Sequence, residues 1–164
     1  MGHRRIGFVG DPPASPLNFT SSNDRLRGYG NVLKKARIPF RAEYIGQGEH
    51  GRAQARASGL EILRLPKPPT AIFGASDTQA MGVLDAAREL DLRVPRDLSV
   101  VGYDDIEVAQ HVGLTTMRQF LFESGKRGAE RLLQTIADPS STSGSEVLPT
   151  ELILRQTAAA PRPE

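Results

Sequence analysis

Cysteine is absent from this 164-residue chain, which excludes disulfides and any metal site built on thiolates. That composition is compatible with a reducing compartment. No stretch approaches the ~18 consecutive apolar residues of a membrane-spanning helix, and the start MGHRRIGFVG lacks the layout of a secretory signal. An excess of one charge is lacking too. The 21 Lys and Arg are interspersed with 19 Asp and Glu, for a net charge of +2, and no basic stripe marks a nucleic-acid surface. Three catalytic signatures are also missing: Gly-Lys-Ser/Thr of a phosphate loop, Gly-x-Gly-x-x-Gly after the first strand, and the Gly-x-Ser-x-Gly elbow. The expectation is a cytoplasmic, non-enzymatic binding protein with no cofactor, no metal and no membrane association.

What is present is an alternation of strand-like and helix-like stretches. Residues 70–105 are the clearest case. The apolar run Ala71-Ile72-Phe73 ends in Gly74-Ala75-Ser76-Asp77, and Ala80, Val83, Leu84, Ala87 and Leu90 then recur at helical spacing. Leu98 to Val101 form a second apolar run, closed by Gly102-Tyr103-Asp104-Asp105. Strand, helix and strand in that order make a βαβ unit with parallel strands. Upstream, Arg5 to Gly10 reads as a buried strand. A helix is predicted from Asn23, capped by Asn23 or Asp24, with Leu26, Tyr29, Val32, Leu33 and Ala36 inward. Glu43-Tyr44-Ile45 reads as a short strand and 52–64 as a helix with Ala55, Leu60 and Leu63 inward. The fold class that follows is α/β, a doubly wound parallel sheet. Further on, 114–119 reads as extended, 122–136 as helical, 139–145 as a Ser/Gly-rich linker, 147–155 as a last strand and 158–164 as a disordered tail.

In a parallel sheet, ligands bind beyond the carboxyl ends of the strands. Asp11, Gln47 to His50, Ser76-Asp77 and Asp104-Asp105 all follow predicted strands, and Arg25 lies in the first turn of a helix that starts at the same edge. Carboxylates that accept from neighbouring hydroxyls, beside a guanidinium that donates to two oxygens, suit a polyol such as a sugar. Other readings of the same residues stand beside this one. Asp77 could cap its helix, Asp104-Asp105 could be a polar turn, and Asp77, Asp104 and Asp105 could hold Mg²⁺. His50 and His111 have no partner at ligand spacing, and Phe19 is the one loop aromatic placed to stack on a ligand.

The text GHRRIGFVGD, RLRGYGNVLKKARI, PPTAIFGASDTQAMGVLDAARELDLRVPRDLSVVGYDDIEVA, LTTMRQFLFESGKRGAERLLQTI and LPTELILRQTA, in that order, resembles the LacI/GalR family of transcriptional regulators. The match runs from Gly2 to about Ala158. It implies a periplasmic-binding-protein-like effector domain of two lobes with a sugar or related metabolite between them. By the same resemblance Arg25, before Gly28-Tyr29, and Asp104, of Val101-Gly102-Tyr103-Asp104, bind the effector. Ser76 lines the pocket, with Asp77 beside it, and Ser21 is a further contact.

The resemblance also implies an organisation. Residues 1–116 correspond to the second lobe, 117–146 to a strand and helix that cross to a first lobe, and 147–157 to a strand that returns. The helix-turn-helix and first lobe that precede these in the family have no counterpart here, so contact with operator DNA is expected only through a module outside the chain. A homodimer is expected through the helix at 78–90 and the segment after Asp105, using Met81, Asp85, Arg88, Val108 and Val112, with Met81 exposed off the apolar stripe. The alternatives are a lobe of a sugar-binding transport receptor and a Mg²⁺-dependent enzyme.

Overall fold

The computed structural model describes residues 1–14, 20–138, 140 and 144–162. Phe19 and most of the expected linker at 139–145 lie outside the described residues. The elements run β1 (Ile6–Gly10), α1 (Ser21–Lys35), β2 (Ile45–Gln47), α2 (Arg52–Leu63), β3 (Ala71–Gly74), α3 (Asp77–Glu89), β4 (Ser99–Asp104), α4 (Glu107–His111), β5 (Thr115–Gln119), α5 (Leu121–Ala137) and β6 (Thr150–Ile153). They form one sheet of order β2-β1-β3-β4-β5-β6, parallel except for the last pairing.

Right-handed crossovers fix which face each helix covers. The chain steps from β1 to β2 in one direction, then back over β1 to β3 and onward. Hence α1 packs on one face, where Phe8, Tyr29, Leu33 and Ala75 are buried, while α2 and α3 pack on the other with Val9, Ile72, Val83, Val100 and Leu114. The two helices on that second face touch closely: a Cβ at Gly82 would collide with the Arg52 carbonyl and Ala55. The alternation expected from the sequence, β-α-β-α-β-α-β up to Asp104, is the one observed.

Several local expectations are corrected. Helix α1 begins two residues before Asn23, with Thr20 at its N-cap and no side-chain cap bond. Val32 is 65% exposed rather than inward, because α1 lies against the sheet only along its Tyr29–Leu33 side. Glu43 and Tyr44 belong to a 3₁₀ turn that buries Tyr44, so the second strand starts at Ile45. Of the expected tail, the described residues 158–162 are tied down rather than loose. Ala159 N–H donates to Ser99 Oγ at 3.0 Å, its carbonyl lies 2.8 Å from His3 Nε2, and Arg162 pairs with Asp97 at 2.8 Å.

The last strand is shorter than expected, and β5 stays in the sheet through Gln119, pairing Met117 with Tyr103 and Arg118 with Asp104. Beyond it α5 leaves the core. None of its residues is buried, and Phe122, Leu132, Leu133 and Ile136 are each more than half exposed. Pairs one turn apart, Glu123–Arg127 at 2.7 Å and Lys126–Glu130 at 3.8 Å, support the helix from outside, but such pairs contribute only ~0.2–0.5 kcal/mol each. With so little packing, α5 should open locally well before the sheet does. Hydrogen exchange on the monomeric chain should find its amides at least 100-fold less protected than those of β3 and β4. Equal protection in a proven monomer would refute this.

Candidate functional site

The strand order reverses between β1 and β3, and the crevice beyond the carboxyl ends at such a reversal is where doubly wound sheets hold ligands. Asp11 follows β1, Ala75-Ser76 follow β3, Asp104 ends β4 and Gln119 ends β5, so one rim collects them all.

Arg25 projects from the first turns of α1 across this rim. Its Nη1 donates to the Ala75 carbonyl at 2.5 Å, its Nη2 lies 3.6 Å from Asp104 Oδ1, and its guanidinium sits 3.9 Å from the Tyr103 ring centre. A guanidinium held by a carbonyl, a carboxylate and an aromatic face keeps one orientation, while 18% of its side chain remains accessible. Asp104 is turned toward Arg25 by a left-handed backbone, φ 122°, a conformation rare for a residue with a Cβ. Gln119 Nε2 donates to its Oδ1 at 2.5 Å. Burial raises the Asp104 pKa, and Arg25, Gln119 and His50 pull it partway back.

The neighbouring Asp105 also has positive φ, 60°, and faces the other way. Its Oδ2 accepts from Arg118 Nε at 2.7 Å. Its Oδ1 lies 2.6 Å from Arg155 Nη2 but makes no hydrogen bond of good geometry, so there the attraction is chiefly one of charge. Burial pushes its pKa up, yet the two guanidinium groups outweigh that and leave it lowered.

At the other end of the rim, Asp11 is the hub. Its Oδ1 accepts from Gln79 Nε2 at 2.8 Å and faces His50 Nδ1 at 3.0 Å. Its N–H donates to Ser22 Oγ at 2.8 Å, and its carbonyl accepts from Gln47 at 3.0 Å.

The two residues that close β3 turn inward. Ser76, 5% exposed, caps α3 by accepting the Gln79 N–H, and its hydroxyl donates to Gln79 Oε1 at 3.1 Å. The cap is therefore Ser76, not Asp77. Asp77 has no exposed surface: Oδ1 accepts from the Thr116 hydroxyl at 2.5 Å and Oδ2 from the Ile106 N–H at 2.9 Å. Gly102 lies so close to this carboxylate that a Cβ there would collide with it. Asp77 thus ties α3 to β5 and to the turn after β4. Ser21 is exposed in the first turn of α1, while its neighbour Ser22 is buried.

A Mg²⁺ reading would need three carboxylates to converge. Asp77 is sealed inside, Asp105 is engaged by two arginines, and among the described residues no group of three acidic or His side chains could hold a metal. The Ser22 and Ser76 hydroxyls contact an amide N–H and Gln79 rather than a histidine, so no activated nucleophile is assembled around them. What the rim does offer is an accessible guanidinium, a carboxylate and carboxamides on one edge, alternating donors with acceptors.

Sequence reasoning missed Gln79, Gln119, Ser22 and the Tyr103 ring. Gln79 did carry a signal, since Ser76-Asp77-Thr78-Gln79 is the S-x-x-Q capping pattern. Gln119 had none until β5 was known to lie parallel to β4.

The second surface of interest lies on the opposite flank of α3. A groove of about 360 Å³ is lined by Met81, Asp85, Arg88, Val108 and Val112 together with Arg52, Leu84 and Leu92. Contrary to expectation Met81 is only 8% exposed, although it lines this groove. Asp85 is paired with Arg52 at 2.5 Å and with Arg88 at 3.7 Å, which holds its pKa below the usual range, chiefly through the Arg52 hydrogen bond. Val108 and Val112 remain 38% and 44% exposed.

Fold and rim together define a doubly wound lobe with a crevice suited to a small polar ligand. The chain belongs to the family of periplasmic binding protein-like domains, whose model matches residues 1–158. It is 35% identical over 162 residues to the HTH-type transcriptional repressor CytR of Escherichia coli (strain K12), covering 98% of this chain and 46% of that protein. Among solved structures, a transcriptional regulator CelR–cellobiose complex matches with a TM-score of 0.85 and 31% identity over 96% of this chain and 47% of that one. The lac repressor dimer bound to operator and the anti-inducer ONPF matches at 0.84 and 30%, over 97% and 54%. The chain thus spans about half the length of these relatives. No described helix is long and apolar enough to cross a membrane.

Proposed function

We propose that this chain is the effector-binding and dimerisation part of a LacI/GalR-type transcriptional regulator, and that its effector is a sugar or related polyol. One observation carries the ligand class: Arg25, held against Tyr103 and the Ala75 carbonyl, faces Asp104 on an accessible rim. A charged donor and a charged acceptor side by side match adjacent hydroxyls, each of which both donates and accepts. In this reading Arg25 and Asp104 contact the ligand. Ser76 and Ser21 line the approach, and Asp77 acts from behind by fixing the turn that carries Asp104. Residues 117–146 are the segment that packs on a companion lobe, and 147–157 return from it. DNA contact belongs to a module outside this sequence. A transport receptor lobe is less well supported, since the relatives named above are regulators.

The lobe supplies one wall of the crevice, so binding to this chain alone should be weak. NMR titration with a panel of monosaccharides, disaccharides and nucleosides should shift rim amides near Arg25, Ser76 and Asp104 for at least one member. Hydrogen bonds to charged groups contribute ~1.5–3 kcal/mol, so Arg25→Ala or Asp104→Ala should weaken that binding at least tenfold. Unchanged affinity in both variants would overturn the site. Metal-dependent turnover of a panel sugar would overturn the non-enzymatic reading.

We propose further that two copies pair two-fold through α3 and α4, burying the groove lined by Met81, Asp85, Arg88, Val108 and Val112. An arginine–carboxylate triad flanked by exposed valines is the mixed surface that such an interface uses.

A further inference from the structure

The turn that presents Asp104 to the crevice is held by a residue to which the effector reading gives no part. Asp104 and Asp105 both have left-handed backbones, φ 122° and 60°. Two such residues in succession, each bearing a Cβ, persist only where their surroundings enforce them. Asp77 supplies one grip by accepting the Ile106 N–H at 2.9 Å. The Asp105 carboxylate supplies the other. Its side chain is 7% exposed, with Arg118 Nε at 2.7 Å from Oδ2 and Arg155 Nη2 at 2.6 Å from Oδ1. A turn that needed only this backbone would be served by glycine, which adopts it freely.

The two arginines come from the two strands at the far side of the sheet. Arg118 lies on β5, and its Nη1 donates at 3.4 Å to Glu151, the residue opposite it on β6. Arg155 follows β6 and is itself anchored: its N–H donates to Thr115 Oγ1 at 2.9 Å and its Nη1 to the Leu114 carbonyl at 2.8 Å. Gln119, next to Arg118, donates to Asp104 Oδ1 at 2.5 Å. Successive residues of β5 thus hold the two successive aspartates. Guanidinium groups fix direction as well as distance, so the position of β5 and β6 is passed to the turn.

We propose that Asp105 is a positioning residue for the effector: clamped by Arg118 and Arg155, it sets the turn that aims Asp104 at the crevice. Effector affinity then depends on how β5 and β6 sit beside that turn. The inference rests on the rim reading above, with Asp104 as the contact and Asp105 acting only through it.

The experiment compares the intact chain with Asp105→Gly, Asp105→Asn and Asp104→Ala by NMR. Glycine keeps the left-handed conformation accessible and removes the carboxylate, whereas asparagine keeps the shape, tolerates the conformation and removes the charge. The three-bond HN–Hα coupling of Asp104 is small at φ 122° and rises as the residue relaxes toward an extended backbone. It should rise in Asp105→Gly and rise less in Asp105→Asn. Affinity is read from titrations with D-ribose, cellobiose and adenosine. For each probe that shifts the rim amides, Asp105→Gly should weaken binding about tenfold. Added to Asp104→Ala it should cost nothing further, a non-additivity that a general loss of stability does not produce. An unchanged Asp104 coupling in Asp105→Gly, parental affinity in that variant, or a full further tenfold loss in the double variant would overturn the proposal and leave the rim reading standing. Unchanged affinity in Asp104→Ala would remove the rim reading and this proposal with it. If none of the three probes binds, the coupling alone decides. Should Asp105→Gly misfold, Arg118→Met, at a side chain 39% exposed, must raise the same coupling.

Discussion

Replacing Asp77 by alanine is expected to cost the fold about 3 kcal/mol. The carboxylate accepts the Thr116 hydroxyl and the Ile106 N–H in a place with no solvent access, and a buried polar group left without its partner costs ~1–3 kcal/mol. For a domain of this size that loss corresponds to roughly 6–12 °C in Tm. Urea denaturation followed by circular dichroism measures it directly, and an unchanged midpoint would refute the role assigned to Asp77. Thr116→Val should reproduce only part of the loss, because the Ile106 bond survives it.

Asp77→Asn separates shape from charge. Burial raises the Asp77 pKa against the pull of Thr116 and Ile106, so its folded value lies above the unfolded value of about 3.9. The folded state therefore binds the proton more tightly. This contribution is full below the unfolded pKa and is lost as pH rises through the folded one. Relative to Asp77→Asn, the parent chain should gain stability as pH falls through that window. The opposite slope would mean that the ionised form is the one the fold favours.

The second large effect concerns the proposed dimer. A two-fold contact uses each position twice, so one substitution near the axis introduces two charges. Burying them unpaired costs several kcal/mol, roughly 3–5 by comparison with broken buried pairs. Met81→Asp should therefore drive the protein to monomer across a micromolar dilution series in light scattering. Met81 is only 8% exposed within a single chain, so this variant will also lose monomer stability. Val112→Asp supplies the clean test, since Val112 is 44% exposed and an aspartate there is tolerated by an isolated chain. A parent that is monomeric at all concentrations, or a Val112→Asp dimer as tight as the parent's, would remove the interface.

Much of this architecture could be read from the sequence because it depends on local order. Apolar runs followed by helical spacing determine strand and helix in turn, and their alternation leaves the doubly wound sheet as the arrangement that buries both faces. The same logic brought Arg25, Ser76 and Asp104 to one edge, since every parallel strand ends on the same side. Tertiary structure decided what each residue does there. The pairing of β5 beside β4 brings Thr116 to Asp77, which turns an apparent rim carboxylate into a buried tie, and Gln119 to Asp104, which turns an unremarked glutamine into part of the rim. Met81 is 8% exposed in the folded chain, although its angle around the helix sets it off the apolar stripe. The tail, rich in alanine and proline in sequence, is fastened at Ala159 by residues more than 50 positions away. Periodicity reports a residue's direction from its own element. Burial and hydrogen bonding depend on which other element arrives there, and that is settled only when distant segments meet.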